Sequence, residues 1–256
     1  MLNQREQANL LTSLHRQGDP LILYNIWDAG SAKAVQESGA KVIATGSWSV
    51  AAAHGYPDRE QLPFEQVLLN LNQIIPSVEL PVTLDLEGCY AQSPQQVEAN
   101  VAKVLEAGAV GINFEDQIIG GEGLYSIEDQ SARLRAARTA AEQAAIPLFI
   151  NARTDIFLKS KPDQHTEELL EAALERATAY TEAGASGFFA PGLREPRLIE
   201  KLCKLSPLPV NIMILPDTPS PRQLANLGVS RISYGAGPYR QMIAALKEAA
   251  GQAFSL

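Results

Sequence analysis

Cysteine is almost missing from this chain of 256 residues: Cys89 and Cys203 are the only two. Two cysteines give no disulfide framework and favour a reducing, cytoplasmic setting. No apolar run reaches the roughly 18 residues that a membrane-spanning helix needs. The start, Met1-Leu2-Asn3-Gln4-Arg5-Glu6, lacks the apolar core of a signal peptide. Lys and Arg nowhere cluster and the net charge is −8, so neither nucleic acid nor an anionic membrane surface is an expected partner. An acidic chain can still take anionic substrates through a local cation site. Linkers, low-complexity tracts and charge blocks are absent too, which predicts one domain over residues 1–256.

What is present is alternation. Short β-rich runs, at Leu21–Trp27, Val42–Thr45, Val82–Leu86, Gly111–Glu115, Leu148–Arg153, Gly187–Ala190, Val210–Ile214 and Arg231–Tyr234, are separated by amphipathic stretches such as Pro94–Ala107, Ser126–Ala145 and Thr166–Ala183. Ser93 before Pro94 supplies an N-cap with proline at the first helical position. Four helix ends carry a glycine, at 39, 108, 184 and 228, suited to the left-handed conformation that stops a helix before the next strand. Eight β-then-α units predict an α/β fold, a single (β/α)₈ TIM-type barrel. The alternative, a doubly wound open sheet, would carry G-x-G-x-x-G after its first strand. Here that turn reads Asn25-Ile26-Trp27-Asp28-Ala29-Gly30-Ser31.

Active sites of such barrels lie at the C-terminal strand ends, and the polar residues of this chain collect there. Strand alternation predicts that Asp85 and Glu87 share one face, with Glu115 and Asp116 ending the next strand. Asn151, Arg153 and Asp155 follow on the fifth strand, and Asn211, a candidate substrate-binding residue, on the seventh. Crowded carboxylates repel unless a cation or shared protons compensate. Oxygen ligands without His or Cys suit Mg²⁺, or Mn²⁺, better than Zn²⁺. Arg153 can take a substrate carboxylate bidentately. A divalent ion beside it can chelate a 2-oxo acid and stabilise an enolate. Backbone N–H groups around Ser47 and Trp48 are candidate donors to the same oxyanion. Each residue also has a plainer reading. A strand-end acid can cap a helix or pair with Arg, and Asp28 reads as an N-cap. Cys89 reads as a small buried hydrophobe, Trp48 as core or pocket wall, and His15 and His165 as solvated.

Taken together, Asn25-Ile26-Trp27-Asp28-Ala29, Thr45-Gly46-Ser47-Trp48, Gly55-Tyr56-Pro57-Asp58, Pro81 to Gly88, Gly108 to Gln117, Asn151-Ala152-Arg153-Thr154-Asp155 and Leu227 to Gly235 resemble the isocitrate lyase/phosphoenolpyruvate mutase superfamily. The resemblance implies a (β/α)₈ barrel and Mg²⁺-dependent cleavage or rearrangement of C–C or C–P bonds in small 2-oxo or 2-hydroxy acids. By the same match Asp85 ligates the metal, while Asp58, Glu87 and Glu115 hold its water ligands. Arg153 takes the substrate carboxylate, and the amides near Ser47 and Trp48 bind the oxo-acid oxygens. Homo-oligomers, formed by exchange of a helix near the C-terminus, are implied as well.

The chain departs from the superfamily in the loop after strand four. There the lyases carry Lys-Lys/Arg-Cys-Gly-His, with Cys as general acid; here the loop reads Gln117-Ile118-Ile119-Gly120-Gly121-Glu122-Gly123-Leu124-Tyr125. This argues against isocitrate or methylisocitrate cleavage. The mutase branch's loop Lys and Asn, and its His after strand six, are missing as well. Glu122 and Tyr125 are the loop's remaining proton-bearing side chains and its candidate catalytic groups. The leading expectation is a Mg²⁺-dependent carbon–carbon lyase acting on a small-molecule carboxylate. A phosphonopyruvate-type C–P hydrolase or mutase, and a carboxylate-binding relative without turnover, are the alternatives.

Overall fold

The computed structural model describes residues 2–255. Eight strands, β1 (Leu21–Leu23), β2 (Ile43–Ala44), β3 (Val82–Asp85), β4 (Gly111–Glu115), β5 (Phe149–Arg153), β6 (Gly187–Phe189), β7 (Val210–Met213) and β8 (Arg231–Ser233), pair in parallel in the order β1-β8-β7-β6-β5-β4-β3-β2. A parallel bridge between Ile26 and Thr45 joins the two ends of that sheet, making a nearly closed barrel of the expected α/β type. β1 is shorter than its apolar run because the Asn25 side chain takes over the ladder. Its amide donates to the Thr45 carbonyl at 2.8 Å, and its oxygen accepts from the Tyr234 and Gly235 amides at 2.9 Å.

The helices are α1 (Gln4–Ser13), α2 (Ala29–Glu37), α3 (Ser47–Ala53), α4 (Phe64–Ile74), α5 (Pro94–Glu106), α6 (Ile127–Gln143), α7 (Glu167–Glu182), α8 (Pro196–Leu205), α9 (Pro221–Asn226) and α10 (Gly237–Phe254). Ser93 caps α5 by accepting from the Gln96 amide, and Asp28 caps α2 by accepting from the Ser31 amide. Gly39, Gly108, Gly184 and Gly228 all have φ between +89° and +102°, the left-handed region that ends a helix.

Alternate strand residues face the barrel interior. The outward set, including Ile43, Leu84, Ile112, Phe114, Ile150, Phe188, Ile212 and Ile232, packs under the helices as one apolar core. Inside, a second cluster of Leu11, Leu21, Leu23, Val42, Ala44, Val110 and Phe149 closes the N-terminal end, with α1 as its plug. Above it the interior turns polar: Asp85, Asn113 and Asn151 lie level in register, with Asn211 and Arg231 paired on β7 and β8. Layers of such barrels are more often branched apolar residues, so this polar layer calls for a reason.

Two expectations about histidine are corrected. His15 is not solvated: its ring stacks on Phe149 with centroids 3.9 Å apart, and Nδ1 donates to the Leu11 carbonyl at 2.8 Å. Burial, helped by the Arg231 charge, pushes its pKa down to about 3. His165 precedes α7 rather than lying in it, and Nε2 donates to the Phe157 carbonyl at 2.9 Å.

α10 stands apart. Along it only Pro238 is buried. Ile22, on the outer face of β1 where an eighth barrel helix would lie, is 42% exposed. A groove of about 1160 Å³ runs there, bounded by Ile22, Tyr24, Trp27 and Val35 on one side and Met242 and Ala245 on the other. Among the described residues, no helix is long and apolar enough to cross a membrane.

Candidate active site

Asp85 ends β3 at the C-terminal rim and is held by donors from two elements. The Ser47 amide and hydroxyl donate to Oδ2 at 3.0 and 2.8 Å, and the Asn113 amide donates to Oδ1 at 3.2 Å. Its own N–H donates to Thr45 Oγ1 at 2.9 Å. Ser47 reaches this position because α3 starts directly after β2, with Gly46 as an N-cap that contributes no side-chain bond.

Glu87 arrives differently from its sequence expectation. β3 stops at Asp85, and Glu87 takes a left-handed φ of +51°, so a turn rather than strand alternation brings it to the site. Its Oε2 accepts from the Glu60 amide at 3.0 Å and its Oε1 from the Tyr90 hydroxyl at 3.3 Å. Glu60 in turn accepts from the Tyr90 amide at 2.7 Å. Arg59, Glu60, Cys89 and Tyr90 also have positive φ, between +52° and +68°. Two strained loops thus brace each other through carboxylate–amide bonds, a pattern that clusters at functional sites.

Asp58, Asp85 and Glu87 form an acidic cluster. Burial first, then the charges of Asp58 and Asp85, push Glu87 up to about 8. Burial also raises Asp58, with the Asp85 charge adding to it. Asp58 Oδ1 is buried without a hydrogen-bond partner. Glu115 is raised by burial against the pull of Arg153, which it meets at 2.8 Å. Arg153 is clamped from its other side by Asp155, Nε to Oδ1 at 2.6 Å and Nη2 to Oδ2 at 2.9 Å.

Asp58, Asp85, Glu87, Glu115 and Arg153 are therefore brought into one electrostatic neighbourhood. Asp116 is not. It points outward, wholly buried, accepting from Tyr180 at 2.9 Å, Arg176 at 3.1 Å and the Asp155 amide at 3.0 Å. It ties β4 to α7 and the start of the β5 loop. The Trp48 ring turns toward α10, edge-on to Tyr239 and beneath the Arg240 guanidinium at 4.6 Å. Asn211 lies below the rim, its amide spent on the Ile212 and Arg231 carbonyls and Ser233 Oγ. The loop from Gln117 to Leu124 closes on itself through a bridge between those two residues, leaving Glu122 exposed. The Tyr125 ring lies 4.0 Å below the Arg133 guanidinium rather than over the carboxylates.

The donor set fits a hard divalent cation: an orphaned carboxylate oxygen at Asp58, and the carboxyls of Asp58 and Glu87, raised first by burial and then by the neighbouring carboxylate charges. Among the described residues, no three His, Cys, Asp or Glu side chains converge to hold an ion alone. An ion here would keep most of its water shell, as Mg²⁺ commonly does beside one or two carboxylates. Asn113, Tyr90 and Glu60 were missed as site residues by sequence reasoning, whereas Asp155, expected at this rim, is the clamp on Arg153. Asn113 was within reach of that reasoning, because register places it beside Asp85. The left-handed turns that bring in Glu60 and Tyr90 leave no such trace.

The family model for phosphoenolpyruvate phosphomutase matches residues 11–254. A crystal structure of a Burkholderia cenocepacia J2315 protein, provisionally assigned as a phosphonomutase, is 46% identical, with a TM-score of 0.96 over 98% of this chain and 100% of that one. An uncharacterised Mycobacterium tuberculosis protein is 31% identical over 93% of this chain and 86% of its own length. The 2-methylisocitrate lyase of Salmonella typhimurium is 27% identical over 88% of this chain and 77% of its length.

Proposed function

The chain belongs to the phosphoenolpyruvate phosphomutase family, and on that premise we propose that it is a Mg²⁺-dependent lyase cleaving a carbon–carbon bond in a small 2-oxo or 2-hydroxy carboxylate. The observation that carries the reading is the cluster of Asp58, Asp85, Glu87 and Glu115 around one clamped arginine. Asp85 holds the metal, with Asp58, Glu87 and Glu115 around its water shell. Mn²⁺ suits the same oxygen donors. Bound there, the ion supplies Lewis-acid stabilisation for negative charge developing on a carbonyl oxygen.

The chain's own residues do the rest. Arg153, fixed by Asp155 and Glu115, binds the substrate carboxylate with the N–H groups those partners leave free. Amides at the start of α3, near Ser47 and Trp48, donate to the substrate's oxygens, and Asn211 supports the floor of the site. Glu122 and Tyr125 are the candidates to deliver or remove a proton once the 117–125 loop closes. The assay is pyruvate release from oxaloacetate, malate-type 2-hydroxy acids, 2-methylisocitrate and phosphonopyruvate, with Mg²⁺ and with EDTA. EDTA-sensitive pyruvate from a C–C substrate supports the lyase. Phosphate together with pyruvate from phosphonopyruvate alone supports C–P hydrolysis, and its conversion to phosphoenolpyruvate supports a mutase; of this second pair of readings the 46% identical phosphonomutase-like relative favours the mutase. Oxalate binding without any turnover leaves a binding protein.

The partner expected for assembly is a second copy of the chain. Its α10 is the occupant that the groove beside β1 fits, because the same chain offers both an uncovered β1 face and an unpacked helix.

A further inference from the structure

We infer that Asn113 is a positioning residue for Asp85, its orientation locked from below by Arg231 and Asn151. The inference rests on the proposed cation site at Asp85. An ionised carboxylate offers about four acceptor positions. At Asp85, Ser47 fills two on Oδ2 and Asn113 Nδ2 fills one on Oδ1, leaving a single position on Oδ1 for an ion. The direction of that free position depends on which end of the Asn113 amide faces Asp85.

A flipped amide would set two oxygens against each other, and the barrel interior forbids it. Asn113 Oδ1 accepts from Arg231 Nη2 at 3.0 Å and from Asn151 Nδ2 at 2.9 Å. Arginine has no acceptor, so the atom of Asn113 that faces it must be the oxygen. Asn151 is fixed in the same sense, because its Nδ2 also donates to Asn211 Oδ1 at 3.1 Å. Asn211 is pinned by the backbone carbonyls of Ile212 and Arg231, which accept from its Nδ2. The polar layer thus fixes each amide in turn, from Asn211 and Arg231 on β7 and β8 through Asn151 on β5 to Asn113 on β4, all four buried. Arg231, Asn211 and Asn151 are wholly buried, and of these four only Asn113 bonds to Asp85.

The test is Mn²⁺ binding without substrate, read by electron paramagnetic resonance, beside a thermal melt. Asn113→Leu removes the donor at constant charge. Its Mn²⁺ dissociation constant should rise about tenfold or more, the usual scale for losing a residue that orients a metal ligand. A lowered melting temperature with an unchanged dissociation constant means a purely structural residue and overturns the inference. If Asn113→Leu does not fold, the double variant Asn113→Leu/Arg231→Met carries the same reading, since it removes the buried pair together. Losing the Arg231 cation alone would tighten Mn²⁺ binding, so weaker binding by the double variant reports the lost donor, and binding as tight as wild type or tighter overturns it. Wild-type protein that binds no Mn²⁺ removes the cation site itself, and this inference with it.

Discussion

Asp85 sits at a strand end with its carboxylate toward the rim, so removing it opens no core cavity. Asp85→Ala should abolish Mg²⁺-dependent oxalate binding while leaving the thermal melt close to wild type; unchanged oxalate affinity would sink the metal assignment. Arg153→Lys tests the neighbouring role. A lysine cannot hold Asp155 bidentately and still reach Glu115 and a ligand, so carboxylate binding should weaken by about 1–3 kcal/mol, the range for charge-assisted bonds. Calorimetry with oxalate reads it, and an unaltered affinity removes Arg153 from the site. His15 bears on stability instead. Held neutral against Phe149 with its pKa near 3, it binds fewer protons folded than unfolded at any pH between that value and about 6.5. Its contribution is therefore complete above pH 6.5 and is lost as pH falls. Between pH 7 and pH 5 wild type should lose about 2 kcal/mol more stability than His15→Leu, from linkage. Equal losses in urea titrations at the two pH values would refute this. Asp85, Glu115 and Arg153 were legible in the sequence because strand ends announce themselves. His15 was not: it lies in a polar stretch, and what buries it, Phe149, is 134 residues away.

Elements were the most readable scale. Apolar runs, capping serines and aspartates, and terminal glycines are local signals, and the barrel follows from their repetition. What local signals lack is close approach between distant elements. Gly111, on β4, is one case: a Cβ there would lie 2.7 Å from Leu11 of α1 and 2.8 Å from Thr83 Oγ1. The missing side chain lets α1 plug the barrel's N-terminal end. Gly111→Ala should cost about 1–3 kcal/mol through overpacking, measured as a lower urea midpoint at unchanged slope. A midpoint equal to wild type would mean that α1 shifts freely. The two-residue step from Asp85 to Glu87 is another case. Period-two reasoning places both on one face, and both do reach the site, but only because Glu87 adopts a left-handed turn that its sequence gives no reason to expect.

At the scale of the whole molecule, α10 and the face of β1 are each unfinished. Helix α10 runs 18 residues with one buried side chain, while Leu246 is 60% exposed and Phe254 85% exposed. An apolar strand face open beside an unpacked helix from the same chain is a self-complementary surface, the kind that closes with two-fold symmetry. Packing α10 of one copy into the groove at Ile22, Tyr24 and Trp27 of the other covers both at once. It also bears on the site, because Trp48, whose backbone starts the helix facing Asp85, packs against Tyr239 and Arg240 at the base of α10. The chain should therefore run at no less than twice its monomer mass in light scattering at micromolar concentration. Leu246→Arg, which sets a charge on the exposed apolar side of α10 far from the carboxylates, should shift it toward monomer. Assembly that supports the site predicts that this variant also weakens oxalate binding; a monomer that binds oxalate as wild type does would separate the two. A wild-type protein that is monomeric throughout would leave α10 without the partner proposed for it.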